Sequence, residues 1–179
     1  MTLTAGVRKF TLATHLTVAV GWIGTVIAYL ALGIAAVTTD DVVTVRAAWT
    51  AMEVIGWYVI VPMAVASLLT GLLMALGTQW GLFRHYWVLI SLVLTLFATV
   101  VLVLHMPDVT ATAAMARDTD GAALDALGGD LLHPALGLVV LLVIQVLNVY
   151  KPRGVTRYGW RKQREQRSST ARREGRVPR

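Results

Sequence analysis

The fold is decided by residues 84–106, RHYWVLISLVLTLFATVVLVLHM. Between His85 and His105 this stretch has no charge, only apolar residues with Ser91, Thr95 and Thr99. About 20 apolar residues of helix cross the ~30 Å hydrocarbon layer of a bilayer. Three more stretches, 10–37, 54–77 and 133–150, meet the same test. The whole chain of 179 residues is 56% hydrophobic and only 15% charged, with a mean hydropathy of +0.66. A water-soluble domain of this size has too little interior to hide so much apolar surface. The sequence therefore predicts an all-α integral membrane four-helix bundle, with a transmembrane domain over 1–150 and a basic tail over 151–179.

Charge sets the expected orientation. Of the sixteen lysines and arginines, all but Arg46 and Arg117 fall before the first span, between spans two and three, or after span four. By the positive-inside bias, both termini are expected in the cytoplasm of a bacterium and the protein in its inner membrane. Asp40, Asp41, Glu53, Asp108, Asp118, Asp120, Asp125 and Asp130 then cluster at the outer side. Trp49, Trp57 and Tyr58 would mark the outer interface, and Trp80, Tyr86, Trp87 and Tyr150 the inner one. The apolar run after Arg8 and Lys9 is too long for a signal peptide and reads as a retained span. There is no cysteine, which removes disulfides and thiolate ligands.

The connections differ in character. The first, TTDDVVTVRAAWTAM (38–52), reads as a short acidic loop, and TQWGLFRH (78–85) as a tight turn. The third, 106–132, is long and alanine-rich and could hold a short surface helix. Beyond Tyr150, Pro152 and Gly154 stop the helix, and the remaining basic segment reads as disordered. It carries eleven basic residues against Glu165 and Glu174 and is expected to attract anionic lipid. No folded motif for nucleic acid accompanies it, so no nucleic-acid partner is expected.

Within the spans, Ser67, Gly71 and Ala75 recur every four residues, a small-residue face suited to close helix approach. Pro62 should kink span two. Four histidines are the candidate ligands. His85 and His105 sit at opposite membrane faces, and His133 opens span four at the level of His105. Facing imidazoles from two helices are a ligand set for a metal or a haem. His15 lies deeper. An ionisable group in hydrocarbon normally turns toward the bundle and a partner. His15, Trp22 and Tyr29 are spaced by seven and share a helix face. Counting residues along each span puts Thr70, Ser91 and Gln145 near the height of His15, so a structural histidine hydrogen-bonded to Gln145 or Ser91 is the competing reading.

The segment HLTVAVGWIG (15–24) resembles the first span of a broad group of bacterial membrane proteins. That group includes copper-resistance D domains and haem-binding, protoporphyrinogen oxidase-type four-helix proteins. GLFRHYWVL (81–89) and YKPRGVTRYG (150–159) resemble an uncharacterised family of predicted bacterial inner-membrane proteins over all four spans. The resemblance implies the four-helix fold and His15 as a ligand of haem b; the count along the spans adds Ser91 and Gln145, and the shared helix face Trp22, around it. It departs in span three, where WVLISLVL (87–94) has Ser91 and no charge while the haem-binding relatives carry a basic residue. That argues against oxidation of an acidic porphyrin. The methionines form no ladder of soft ligands, which argues against copper transport. The alternative function is a non-catalytic accessory or scaffold protein, working through helix packing, a homo-oligomer or membrane partner, and the tail. A transporter ranks last, because no span is broken around a midplane charge.

Overall fold

The computed structural model describes residues 3–77, 81–118, 131–161, 164 and 168. Five α-helices make four long rods: α1 (Ala5–Thr38), α2 (Val42–Ile55), α3 (Val61–Gly77), α4 (Tyr86–Asp118) and α5 (Leu132–Tyr150). A π-helical turn, Gly56–Ile60, fuses α2 and α3 into one rod, Val42–Gly77. Among the described residues there is no strand. All four rods are long and apolar enough to cross a membrane, the architecture of a multi-pass membrane protein. Their outward faces agree. Leu69, Leu73 and Leu76 on α3 and Leu136, Val139 and Val146 on α5 are all exposed, an apolar mantle that water would not tolerate.

The rods run up and down, so the start of α1 and the end of α5 lie at one end of the bundle. There Leu3 N–H donates to Gly77 O at 3.1 Å. Arg8, Lys9, Arg84 and Lys151 lie at this basic end, while Asp40, Asp41, Glu53 and Asp108 mark the opposite, acidic end.

Two expected loops are largely helix. Residues 42–52 were expected in a loop but belong to α2, and span three continues through Pro107 as α4 to Asp118. The reason is a helical apolar period beyond the membrane-length core. Val45, Trp49 and Met52 recur at four and three, and Met106, Val109, Ala113 and Ala116 at three, four and three. All seven are buried, and the two faces pack on each other. Asp41 starts α2 by accepting from Val43 N–H at 3.4 Å and Thr44 N–H at 3.0 Å. Arg46 Nε donates to Ala116 O at 3.0 Å, and Arg117 pairs with Glu53 at 2.7 Å. At ~1.5 Å per residue, α1 and α4 each run about 50 Å, well past the hydrocarbon. Trp49, expected at an interface, is therefore a core residue at 4% exposure. Trp87 is likewise buried, against Ala75 and Val88. Trp57, Tyr58, Tyr86 and Tyr150 are exposed.

The strain from Pro62 is taken up just before it. The ring lacks an N–H and crowds the carbonyl four residues back. The wider π turn absorbs this, with Val61 N–H reaching back to Gly56 O. Gly56 also lets Met106 in: a Cβ there would stand 2.5 Å from Met106 Cε.

The tail corrects a second expectation. It is not free from Lys151 onward. Lys151 takes the left-handed conformation (φ 46°) and turns the chain back. Val155 pairs with His85, Tyr86 N–H donates to Gly154 O at 3.3 Å, and Thr156 N–H donates to Arg84 O at 3.0 Å. The Thr156 hydroxyl donates to Phe83 O and accepts Gly159 N–H at 3.1 Å, capping a short helical turn over 157–161. The polar composition predicted disorder, but unpaired backbone groups of the 83–86 turn give this segment a ladder to complete. Trp80, Asp120, Asp125, Asp130 and most of the tail beyond 161 lie outside the described residues, as does 119–130 of the third connection.

Candidate functional site

The four histidines fall in three places. His85 is at the basic end, held by the pairing with Val155, its ring 6.4 Å from Trp87. His105 and His133 meet near the acidic end, with ring centroids 4.2 Å apart and planes within 17°. His15 lies alone among histidines on the face of α1 that packs against α3.

The small-residue face of α3 positions His15. A Cβ on Gly71 would stand 3.3 Å from His15 Cε1, so a side chain there would push the ring back by a few tenths of an ångström. Ser67 and Ala75, one turn to either side, are buried at 5% and 6% exposure. His15 Nδ1 lies 3.0 Å from Thr70 Oγ1. The Thr70 hydroxyl also reaches Ala66 O at 2.7 Å and Ser67 O at 3.2 Å. With its proton on either carbonyl, its oxygen is the acceptor for Nδ1–H, and Nε2 then keeps the ring's remaining lone pair.

His15 lines a cleft of about 660 Å³ in the basic half of the bundle. All four rods contribute, among them Trp22 from α1, Ser67 from α3, Ser91 from α4 and Gln145 from α5. This volume is within the ~300–1,000 Å³ usual for small-molecule sites. Arg8, Lys9 and Lys151 stand at its basic mouth, and Trp22 and Leu141, both buried, lie at its far end. The sequence-level grouping of His15, Trp22, Ser91 and Gln145 thus corresponds to one cavity. His85, His105 and His133 are not part of it.

The cleft arises from uneven packing. α1 closes tightly on α3 through the small residues. On α5 only Leu141 is buried. Gln145 and Asn148 are too polar to be packed into a dry seam, so α5 stands off and leaves room. Ser91 is the odd member of the α4 polar stripe. Thr95 and Thr99 hydroxyls donate back to Ser91 O and Thr95 O, each at 2.8 Å. Ser91 is 6% exposed, and its Oγ has no hydrogen-bond partner. A hydroxyl buried without a partner costs roughly 1–3 kcal/mol, so its place beside a cleft demands a reason.

His105 and His133 line a second, almost wholly apolar pocket of about 220 Å³, with Trp22, Tyr29 and Met106. Trp22 and Leu141 line both cavities and divide them. Stacked, near-parallel imidazoles direct their in-plane lone pairs side by side. They do not converge on one ion, and the rings leave no gap for a macrocycle between them. Asp108 is 4.0 Å from His105 and 82% exposed. Among the described residues no group of three or more His, Asp or Glu is placed to hold a metal.

Sequence reasoning placed Thr70 at the height of His15 but named Ser91 or Gln145 as its partner. Height along a span is countable, whereas the angle around it depends on which helices touch. No protein-family model, curated protein or solved structure matches this chain, so the chemistry of the cleft is carried by its own residues alone.

Proposed function

We propose that this is a bacterial inner-membrane protein, termini in the cytoplasm, that binds haem b in the basic-end cleft, where His15 would hold the iron. One observation carries the reading. His15 has its Nδ1 tied to Thr70 and lies in a cleft of about 660 Å³ shared by all four rods. A ligating histidine normally donates its other ring N–H to a fixed acceptor, and Thr70 is such an acceptor. The cleft suits the group in two more ways. Its walls carry Leu92 and Ile144, against which a flat apolar body can lie, its far end is closed by Trp22, and its mouth is cationic. Ser91 Oγ supplies a buried polar atom without a partner among the described residues.

Bound there, haem would supply iron redox or ligand exchange. The chain's own part is to fix the imidazole, to exclude lipid from one ring face and to hold the acidic edge. Among the described residues no second histidine lines the cleft, and Gln145 is a weak donor to iron. Expression with haem supply should give a b-type spectrum that His15→Ala abolishes and His105→Ala leaves intact. A colourless protein would refute the reading.

The orientation is tested separately. Reporter fusions after Ala122 and after Tyr150 should report opposite sides of the membrane.

A second reading, a non-catalytic accessory protein, is favoured by the docked tail. The 153–161 segment is held to the 83–86 turn and presents Tyr158 and Trp160 half-exposed. These rings and the basic residues around them suit an anionic leaflet, at about 1 kcal/mol per charge. A tail peptide that bound neutral vesicles as well as anionic ones would sink this lipid account.

A further inference from the structure

We infer that the basic-end cleft takes an amphiphile bearing carboxylates, oriented with its acidic groups at Arg8, Lys9 and Lys151 and its apolar body reaching toward Trp22. This rests on the proposal that the cleft is a ligand site, but not on the ligand being haem.

The cleft is polar in one direction only. Its mouth is built from cations of two different rods: Arg8 and Lys9 from the start of α1, Lys151 from just beyond α5. Among the described residues no Asp or Glu lines it. Its middle offers neutral hydrogen-bonding groups: His15, Ser91 and Gln145. Its far end is apolar, closed by Trp22 at 3% and Leu141 at 6% exposure. A neutral apolar ligand would leave the mouth unused and Ser91 unpaired. A compact anion such as inorganic phosphate would leave most of the apolar wall wet. A molecule with carboxylates at one edge satisfies all three zones. Carboxylate–cation hydrogen bonds are about twice as strong as neutral ones and would dominate its orientation.

Ser91 is the independent sign of an occupant. Its hydroxyl is buried, unpartnered and at the cleft, while its helical neighbours Thr95 and Thr99 have bonded back to their own backbone. A serine kept for helix packing alone would do the same. Ser91 is therefore assigned as a ligand-contacting residue. Two ligand sources share the proposed chemistry: haem, through its propionates, and a fatty acid, through its single carboxylate.

The full-length protein in detergent or nanodiscs would be titrated with haem and with haem dimethyl ester, which lacks the charged carboxylates. Haem should bind at least about tenfold more tightly, the equivalent of one good charged contact. In the triple variant Arg8→Gln/Lys9→Gln/Lys151→Gln that ratio should fall to near one, with the ester's affinity unchanged. Ser91→Ala should weaken binding while leaving the thermal stability of the ligand-free protein equal or higher, because an unpaired hydroxyl has been removed. A merely structural serine would lower stability and spare affinity. Equal binding of haem and its ester, or a triple variant that keeps the ratio, overturns the orientation even if His15→Ala still abolishes the spectrum. If haem does not bind at all, the naturally fluorescent cis-parinaric acid and its methyl ester carry the same comparison. Acid binding lost in the triple variant then upholds the orientation while refuting haem. Failure of both the acid and haem to bind overturns both.

Discussion

Replacing Thr70 by valine tests the link on which the imidazole depends. Valine keeps the β-branched shape, so packing against α1 is preserved and only the hydroxyl is lost. The bond from Thr70 to Ala66 O is a helix back-bond, and Ala66 O keeps its backbone partner, so that loss is nearly neutral. What matters is His15 Nδ1–H, which loses its acceptor at 3.0 Å. Interhelical hydrogen bonds inside membranes average about 0.6 kcal/mol and reach about 1.7. His15 lines a cleft rather than a dry core, so water relieves part of the loss. Thr70→Val should therefore cost roughly 0.6–1.7 kcal/mol. Thr70→Ser, which keeps the hydroxyl, should cost less. Equilibrium unfolding in mixed micelles reads the stability. Nitrogen-15 NMR of labelled histidine reads the tautomer, which should be Nδ1–H in the native protein and lose that preference in the valine variant. A valine variant as stable as the native protein, with the Nδ1–H tautomer retained, would refute the link. Serine as costly as valine would show that the methyl group, not the hydroxyl, was at work.

Gly56→Ala puts a methyl 2.5 Å from Met106 Cε and should destabilise by about 1–3 kcal/mol through overpacking. Met106→Ala should cost about 2–5 kcal/mol, and the double variant clearly less than the sum, because the added methyl enters the space the methionine leaves. Strict additivity in a thermal unfolding series would deny the contact. The Thr44 hydroxyl and the backbone N–H groups of Thr44 and Val43 hold the Asp41 carboxyl below its usual range. A depressed folded value means the cap's contribution is present above the unfolded value and is lost as pH falls through the folded one. Asp41→Asn should keep most of the cap and remove that acid dependence of unfolding. A chain ending after Arg161 should fold and insert like the native one. One ending after Tyr150 should be cleaved faster in the 83–86 turn by limited proteolysis, since it lacks the partners of Arg84 and Tyr86. Equal cleavage would show that the docked tail does not protect the turn.

The four rods were legible because hydrocarbon thickness sets a length that hydropathy alone can meet. The small-residue face was legible too. Ser67, Gly71 and Ala75 at every fourth position predict a close helix contact, and α1 makes it at Gly71. The extensions of α2 and α4 were missed because falling hydropathy was taken as the end of a helix. Hydropathy reports the solvent, whereas the helix is reported by period. The spacing Met106, Val109, Ala113, Ala116 shows that the period continues after the lipid stops. The helix also passes Pro107, which its packed neighbours hold in place.

The site was legible in part for a related reason. His15, Trp22 and Tyr29 share a face, and an ionisable group in lipid must turn inward, so a bundle-facing histidine follows from one sequence. Its partner does not follow, because Thr70, Ser91 and Gln145 share a height and differ only in azimuth. The choice among them was made by Gly71, which drew α1 onto α3 and brought Thr70 within reach. Ser91 and Gln145 were left across the gap from His15, on α4 and α5. Had α5 carried small residues in register instead of Gln145 and Asn148, it would have closed on α1, and the cleft would be a packed seam. The polar residues that loosen α5 are thus what give the cleft its room. Filling that room by changing Gln145 to leucine should tighten α5, raise stability and abolish ligand binding together. A stabilised variant that still bound haem or cis-parinaric acid at native affinity would place the ligand elsewhere.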